Sequence, residues 1–401
     1  YVGPASGLNQ NNLVNGMYKP QLIDGKGMLA LPGFVNAHTH ISMTAFRGYA
    51  DGQPLWEWLS QTIWPMEDKL QAGDCYWLSL LGAAEMISAG VTTFLDMYMF
   101  QTDTARAVSE CGMRAVLSRA ITGPDKGTEQ RYREVEELSQ WKYKADGRIN
   151  MMIAPHAVYT CSPEVLQNCV KLAEKYQVGI HVHLSETAKE VADCVRDYGR
   201  TPPEHLYNLG LFEKPVVAAH CVHLTHDDMD LMAKHNVKAV HCPSSNMKLA
   251  SGFAPVDEML KRGIGVAIGS DGAASNNNLS VWKEMSLASL IAKGHTQNAD
   301  ALPPKTAMEM ATIKGAEALL LEDKVGSLEV GKKADIQLID TSGPHYYPME
   351  DPIVHLVYSG YSTDVNTVII NGKMIMEDRR LTTIDLSQVE GEVDRIIKRL
   401  R

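Results

Sequence analysis

Several histidine and aspartate residues stand at the ends of short apolar runs in this chain of 401 residues. His38 ends the run Gly33-Phe-Val-Asn-Ala-His, and His40 follows two residues later. Side chains two apart lie on the same face of a strand, so both rings can point to one place. Imidazole nitrogens bind Zn²⁺ and other transition metals. Because a lone His-x-His pair arises readily by chance, this pair indicates a metal site only together with further ligands.

Further ligands of this kind occur later in the chain. His181 and His183 repeat the spacing of two. If the first run supplies two ligands, His183 completes a set of three imidazoles, and His181 is either packed or hydrogen-bonded. Asp271 ends another apolar run and offers an anionic oxygen, although an isolated aspartate there more often heads a turn. Three histidines, one aspartate and an open position suit Zn²⁺, and Fe²⁺ accepts the same ligands.

Two more residues stand where they could handle protons beside such a metal. A bound divalent metal lowers the pKa of water from 15.7 to about 7, and an acid/base group must then move protons to the substrate and the leaving group. Glu186 follows His183 by three residues and is the best placed carboxylate. His220 ends the run that starts at Val216 and can hydrogen-bond the attacking water. Other residues near run ends are interpreted as structural, namely Asp96, Cys221 and His241.

Eight strand-like runs alternate with segments of helical periodicity, such as Asp74 to Ala89 and Ser162 to Tyr176. Eight such units over roughly 250 residues predict an α/β fold, a closed (β/α)₈ TIM-type barrel. The carboxyl ends of the strands converge on one mouth of such a barrel, so the candidate residues become neighbours there. The runs begin at Gly33, Val91, Arg114, Asn150, Val178, Val216, Val237 and Ile264.

The two ends of the chain predict a small β-sandwich domain beside the barrel. Residues 1–31 are its expected N-terminal part, residues 32–321 the barrel, and residues 322–401 its C-terminal part with a terminal helix. Asn371-Gly372 is typical of a hairpin turn. Apolar residues on one helical face over Asp385 to Arg401 predict a docking helix. Near the start, Gln10-Asn11-Asn12 is typical of a loop.

Composition excludes several other classes of protein. The 38 basic and 48 acidic residues give a net charge of −10, which disfavours a nucleic-acid binder. Seven scattered cysteines without a CxxC pair argue against a disulfide framework. The sequence has no long apolar segment and no signal-peptide pattern near its start, so we expect a cytoplasmic protein that binds no membrane. The serine-elbow, P-loop and dinucleotide-binding motifs do not occur.

Several segments of the chain together carry a resemblance to a known family. They include Pro32-Gly-Phe-Val-Asn-Ala-His-Thr-His, Ile63-Trp-Pro-Met-Glu-Asp, Pro155-His-Ala-Val-Tyr, His181-Val-His-Leu-Ser-Glu-Thr, Ala219-His-Cys-Val-His-Leu, His241-Cys-Pro-Ser-Ser-Asn, Ser270-Asp-Gly-Ala-Ala-Ser-Asn-Asn and Gly326-Ser-Leu-Glu-Val-Gly-Lys-Lys-Ala-Asp. On these segments, which extend in order over about residues 20 to 375, the chain resembles the amidohydrolase superfamily, and within it the aminohydrolase branch of 5′-methylthioadenosine/S-adenosylhomocysteine deaminases and triazine hydrolases.

The resemblance implies a mononuclear metal site, with Zn²⁺ preferred and Fe²⁺ as the alternative. Binuclear relatives carry a carbamylated lysine at the end of a middle strand, where this chain has His156. The implied catalytic residues are Glu186 as acid and base, His220 beside the attacking water, and Asp271. The implied metal ligands are His38, His40, His183 and Asp271.

The resemblance also implies substrate contacts. Glu67 would accept hydrogen bonds from two ribose hydroxyls, and His156 would meet a purine ring nitrogen. Arg119 and Arg131 would bind the amino-acid carboxylate of S-adenosylhomocysteine, while Glu186 would contact the base. A solvated loop glutamate and a surface arginine are the ordinary roles of Glu67 and Arg131.

We therefore predict a metal-dependent hydrolytic deaminase of an adenine nucleoside, of the 5′-methylthioadenosine, S-adenosylhomocysteine or adenosine type, releasing ammonia and an inosine-type product. One alternative is an aminohydrolase or chlorohydrolase of guanine, a pterin, cytosine or a triazine; another is a catalytically silent metal-binding barrel. The expected partner is a small-molecule substrate, and we expect a homo-oligomer, a dimer or tetramer. Relatives usually have a longer segment before the residue corresponding to His38, so the N-terminal part of the small domain is expected to be incomplete.

Overall fold

The computed structural model describes residues 2–3 and 22–401 of the chain. Within them the strands form a central barrel and one sheet at its side. In chain order the strands are β1 (Met28–Pro32), β2 (Phe34–His40), β3 (Val91–Tyr98), β4 (Arg114–Ile121), β5 (Ile149–Met151), β6 (Ala154–Pro155), β7 (Ile180–Leu184), β8 (Val216–His220), β9 (Lys238–His241), β10 (Val266–Ile268), β11 (Asp271–Gly272), β12 (Ile336–Asp340), β13 (Val365–Ile370), β14 (Lys373–Glu377) and β15 (Arg380–Leu381).

The barrel consists of β2 to β11, and all of its strand pairs are parallel. β5 and β6 are two pieces of one strand unit, as are β10 and β11, so the described residues contain eight units. β11 pairs with β2, and a bridge between Ile153 and Ile180 joins the β5-β6 unit to β7. The ring is therefore closed, which confirms the predicted (β/α)₈ architecture.

Helices follow the barrel strands, and several begin where the sequence predicts. The Ser162 side chain accepts the N–H of Val165 at the start of one helix, and Thr225 and Asp228 form a capping box at another. The α-helices of regular geometry are Leu55–Glu57, Trp64–Glu67, Asp74–Ser88, Gln101–Cys111, Thr128–Ser139, Pro163–Tyr176, Ala188–Tyr198, Pro202–Asn208, His226–Lys234, Pro243–Lys248, Val256–Lys261, Val281–Thr296, Pro304–Met310, Ile313–Ala318, Pro352–Tyr358 and Leu386–Leu400. Shorter 3₁₀ turns span Ile41–Phe46, Leu211–Glu213, Pro344–Tyr346 and Ser362–Asp364, and Trp58–Ile63 is a π-helical turn.

An extra residue in β2 decides which side chains of that strand face the barrel interior. β2 advances three residues over Asn36–Thr39 where β3 advances two over Phe94–Asp96, which is a β-bulge. An added residue reverses the faces on which the following side chains lie. Ala37 packs in the apolar interior of the barrel, and beyond the bulge His38 and His40 face the interior as well. The bulge thus aims the His-x-His pair into the mouth.

The sheet at the side of the barrel joins both chain ends, with the antiparallel order β1-β12-β13-β14-β15. β13 and β14 form the hairpin predicted at Asn371-Gly372, where both residues have positive φ. The terminal helix Leu386–Leu400 packs its apolar face on the helix Asp74–Ser88. This confirms a terminal β domain beside the barrel. The boundaries at 31/32 and 321/322 stay predictions, and Gln10-Asn11-Asn12 lies outside the described residues.

The cysteines agree with the expectation of a protein without a disulfide framework. All seven are buried and carry no disulfide. In the described part of the chain, no helix combines the length and apolarity needed to cross a membrane. The compartment and the oligomeric state stay predictions.

A buried ion pair fastens the side sheet to the barrel. Arg114, at the start of β4, donates from Nε and Nη2 to the two carboxylate oxygens of Asp335 at 2.8 and 3.0 Å. Both residues are almost fully buried, with exposed fractions of 1% and 3%. Asp335 also accepts the N–H of Asn371 at 2.8 Å, beside the hairpin. This pairing accounts for the aspartate that ends the segment Gly331-Lys-Lys-Ala-Asp.

We expect Asp335→Ala to lower the free energy of unfolding by about 3–5 kcal/mol, because the Arg114 guanidinium stays buried without its partner. Urea-induced unfolding measures the loss. The matched control is Glu392→Gln, which removes an exposed pair with Arg395 whose worth is about 0–1 kcal/mol. An equal loss in the two variants would show that the buried pair does not fasten the sheet.

Candidate active site

Four predicted metal ligands meet at the carboxyl ends of β2, β7 and the β10-β11 unit. The Nε2 atoms of His38 and His40 each lie 3.2 Å from Oδ1 of Asp271. Nε2 of His183 lies 3.4 Å from Nε2 of His40. Three imidazole nitrogens and one carboxylate oxygen therefore face one another, although Asp271 is far from the histidines in the chain.

Hydrogen bonds at Nδ1 of His40 and His183 orient the Nε2 atoms of these rings toward the position between the four ligands. Nδ1 of His40 lies 2.5 Å from the carbonyl oxygen of Met97, and Nδ1 of His183 lies 2.8 Å from that of His156. A carbonyl only accepts, so each Nδ1 carries a proton, and in the neutral ring each Nε2 has a free electron pair. Electron pairs and a carboxylate repel one another unless a cation lies between them. The donor set therefore fits a divalent metal, with the backing bonds typical of metal-bound histidine.

The pKa values of these groups also favour a cation beside Asp271. Burial lowers the pKa of His38 to about 4 and that of His183 well below its usual value, so both rings are neutral, as metal ligands are. Burial also lowers the pKa of His40, but the hydrogen bond to Asp271 and its charge outweigh this and raise it to about 9. Burial alone would raise the pKa of Asp271, yet its bonds to His38 and His40 keep it well below its usual value. A positive charge is thus stabilised here.

Glu186 and His220 lie next to each other in the same mouth. Both are buried, and Oε2 of Glu186 lies 3.7 Å from Nε2 of His220. Nδ1 of His220 lies 2.9 Å from Oδ1 of Asn246, so the proton sits on Nδ1 and Nε2 faces Glu186. Burial raises the pKa of Glu186, with His220 acting in the opposite direction. A carboxyl group with a raised pKa is suited to taking up and releasing a proton near neutral pH.

The backbone is left-handed at the strand ends that carry these residues. Ser185, His220, Cys221 and Asp271 have φ values of 51°, 74°, 50° and 58°, and none is a glycine. Such conformations are uncommon for residues with a side chain and concentrate at functional sites. The surrounding packing must stabilise them.

One cavity of about 640 Å³ opens at this mouth, a volume typical of small-molecule sites. Its walls include apolar side chains such as Trp58 and Trp64. All the site residues predicted from the sequence line it, except His38, which lies behind the cavity wall. The predicted residues in the lining are His40, Glu67, Arg119, Arg131, His156, His183, Glu186, His220 and Asp271.

Both predicted arginine contacts are already ion-paired. Arg119 binds Glu134, and Nη1 of Arg131 lies 2.6 Å from Oδ1 of Asp125. An incoming carboxylate must therefore compete with a carboxylate of the protein at each position. Burial raises the pKa of Glu67, with the neighbouring Tyr98 acting in the opposite direction.

The sequence analysis missed the residues that hydrogen-bond Asp271 and the segment carrying Glu186. Ser245 and Ser275 donate to Oδ2 of Asp271 at 2.6 and 2.7 Å, which leaves Oδ1 for the ligand cluster. Glu190 accepts the backbone N–H groups of Ser185 and Glu186 at 2.9 and 2.8 Å and so fixes the segment that carries Glu186. Both serines lie within segments that carry the family resemblance, which was the available signal. Nδ1 of His241, in contrast, is buried without a hydrogen-bond partner within the described residues.

Comparison with known proteins gives the family. Residues 29–375 match the family model described as Amidohydrolase family. The chain belongs to the amidohydrolase family. A relative within it, 49% identical over 377 residues, is the 5-methylthioadenosine/S-adenosylhomocysteine deaminase of Caldanaerobacter subterraneus subsp. tengcongensis, and the match covers 93% of this chain and 87% of that protein.

Solved structures of amidohydrolases share the fold. An adenosine deaminase from Xanthomonas campestris with bound zinc is 35% identical, with a TM-score of 0.90 over 94% of this chain and 86% of that one. The atrazine chlorohydrolase of Arthrobacter aurescens complexed with zinc is 24% identical, with a TM-score of 0.86 over 92% of this chain and 88% of that one, a likeness of fold alone. The barrel and the terminal β domain are thus those of an amidohydrolase, an enzyme of the hydrolase class.

Proposed function

We propose that this amidohydrolase is a metal-dependent deaminase of adenine nucleosides, of the 5′-methylthioadenosine, S-adenosylhomocysteine or adenosine type. The observation that carries the proposal is the set of three imidazoles and one carboxylate beside the buried pair Glu186 and His220. The names of the Caldanaerobacter relative and of the Xanthomonas structure support the choice of substrate class.

His38, His40, His183 and Asp271 hold one divalent metal, Zn²⁺ in preference to Fe²⁺, in this proposal. When bound, such a metal lowers the pKa of water to about 7 and so supplies a nucleophile at neutral pH. The zinc in the solved neighbours supports this choice of ion.

Glu186 moves the protons of the reaction. It takes one proton from the attacking water and passes it to the ring nitrogen beside C6. It then takes the second proton from the new hydroxyl on C6 and delivers it to the departing amine, while the C6 carbonyl forms. His220, fixed by Asn246, accepts a hydrogen bond from the water through Nε2 and directs it toward C6. Oxygen from water thus replaces the exocyclic amino group, and ammonia leaves together with an inosine-type product.

Other side chains of the cavity orient the nucleoside. Burial lowers the pKa of His156 to about 3, so a neutral ring is available to hydrogen-bond a purine ring nitrogen. Its Nδ1 lies 2.9 Å from Oγ1 of Thr160 and accepts the hydroxyl proton, so that Nε2 carries the ring proton and donates a hydrogen bond to the base. Glu67 accepts hydrogen bonds from the two ribose hydroxyls. Arg119 and Arg131 receive the amino-acid end of S-adenosylhomocysteine.

A substrate panel tests this function. Metal-replete protein is incubated with adenosine, 5′-methylthioadenosine, S-adenosylhomocysteine, guanine and melamine, and ammonia release and the ultraviolet spectrum of the ring are followed. We expect turnover of the adenine nucleosides. Turnover of guanine or melamine without that of any nucleoside would assign the site to another nitrogen heterocycle.

Arg131→Gln should impair turnover of a nucleoside that carries an amino-acid tail and leave turnover of a nucleoside without one unchanged. We expect kcat/KM for S-adenosylhomocysteine to fall about tenfold, the low end for a charge-assisted bond, because Asp125 already competes for the guanidinium. The value for 5′-methylthioadenosine, which has no carboxylate, should not change. Arg133→Gln is the matched control, since Arg133 bonds Gln130 outside the cavity. Equal losses on both substrates would remove Arg131 from tail recognition.

A further inference from the structure

His181 is a buried histidine of the barrel interior for which the proposed reaction has no use. It precedes His183 by two residues on β7 and is fully buried. Its Nε2 lies 2.9 Å from Nδ1 of His38, and its Nδ1 lies 3.3 Å from Oγ of Ser118. His38 is also the one proposed metal-binding histidine whose Nδ1 does not face a backbone carbonyl. Its tautomer must therefore be fixed in another way.

The direction of the hydrogen bonds that join Ser118, His181 and His38 follows from the partner of the Ser118 hydroxyl. Oγ of Ser118 lies 2.5 Å from the carbonyl oxygen of Asp96. A carbonyl only accepts, so the Ser118 hydroxyl donates to it and can only accept from Nδ1 of His181. No anion is hydrogen-bonded to the His181 side chain, whose partners within the described residues are His38 and Ser118, and a charged ring there would be unpaired.

A neutral His181 with its proton on Nδ1 has a free electron pair on Nε2. This nitrogen accepts the Nδ1 proton of His38, and His38 is left with its own electron pair on Nε2. That atom lies 3.2 Å from Oδ1 of Asp271 in the ligand cluster. His38 thereby presents the same nitrogen as His40 and His183, although the other two are set by carbonyl groups.

We propose that Ser118 and His181 are positioning residues, which fix His38 in the tautomer that binds the metal. The inference rests on the metal site of the proposed function. The chain of bonds links Asp96 on β3, Ser118 on β4, His181 on β7 and His38 on β2, so it crosses the barrel interior. Donor groups behind a metal-bound histidine orient the ring and make it a better ligand.

Metal affinity tests the proposal independently of turnover. Zn²⁺ dissociation constants are measured by competition with a chromophoric chelator for the wild type and for His181→Leu, His181→Gln and Ser118→Ala. We expect His181→Leu to bind Zn²⁺ about 10–100-fold more weakly. Glutamine places an amide oxygen near the position of Nε2, so His181→Gln should recover most of the affinity. Ser118→Ala should weaken binding less than His181→Leu does.

His241→Leu is the matched control, because it also removes a buried histidine at a strand end of the barrel. It should leave the Zn²⁺ affinity unchanged. The d–d absorption of Co²⁺-loaded protein gives a second readout, which should change in His181→Leu and not in His241→Leu. Circular dichroism and thermal unfolding show whether each variant is folded.

Zn²⁺ affinity of folded His181→Leu equal to that of the wild type would overturn the proposal. Equal weakening in folded His181→Gln and His181→Leu would do so too, because packing and not proton acceptance would then matter. If His181→Leu does not fold, Ser118→Ala serves as the test. Unchanged Zn²⁺ affinity in that variant would contradict the role of Ser118 and His181 in positioning His38. A wild type that binds no Zn²⁺ would instead refute the proposed function, and this inference with it.

Discussion

Replacing Glu186 by glutamine is expected to leave the metal in place and to lower kcat on adenine nucleosides about 10²–10⁴-fold. Glutamine has nearly the same shape but can neither take a proton from water nor deliver one to the amine. The Glu186 carboxylate lies 3.7 Å from His220 and belongs to neither group of side chains that could hold a metal ion. The metal content should therefore match that of the wild type.

Steady-state ammonia release and elemental analysis of the same preparation check this prediction. Glu164→Gln is the control, because Glu164 is exposed on the helix Pro163–Tyr176, away from the cavity. Turnover near the wild-type rate in Glu186→Gln would remove the residue from the mechanism. Loss of metal together with activity would place Glu186 among the ligands instead.

Removal of the metal should abolish deamination altogether, with a fall of at least about 10³-fold, because several kcal/mol of transition-state stabilisation are lost. The protein is treated with a chelator, dialysed and assayed before and after addition of Zn²⁺. One equivalent per chain should restore the rate, since the two groups of side chains that could hold a metal, His38 with His40 and His183, and His38 with His220 and Asp271, share His38 and so surround one position.

Asp271→Asn provides the matched variant for metal removal. It keeps the size of the side chain and removes the charge that stabilises a cation beside His40. We expect weak metal binding and a rate close to that of the chelated protein. Activity in a preparation shown by elemental analysis to be free of metal would refute the mechanism, and two equivalents per chain would refute the mononuclear site. Reconstitution with Fe²⁺ compares the two candidate ions.

The members of this site can be predicted from the sequence because the order of the strands along the chain fixes their positions around the barrel. His38, His183, His220 and Asp271 each end a strand-like run, and strand ends of a closed parallel barrel meet at one mouth. No further information is needed to expect these residues to be neighbours. The hairpin at Asn371-Gly372 is predicted for a similar reason, since its turn type demands those residues.

Other features depend on contacts that no local pattern encodes. The spacing of His38 and His40 says that they share a face of β2, but the bulge decides that this face is the interior. The pairing of Arg131 with Asp125 depends on which charged side chains the folded loop brings together. The direction of the bond between His181 and His38 depends on Ser118, which lies on another strand.

The extra residue in β2 places two successive side chains, Ala37 and His38, in the barrel interior. Deletion of Ala37 would remove the bulge, and His38 would then take the inward place of Ala37 in a regularly alternating strand. His38 and His40 would still share the interior face. A shortened relative can therefore keep the same pair of imidazoles, so a sequence comparison across this stretch should allow a gap of one residue.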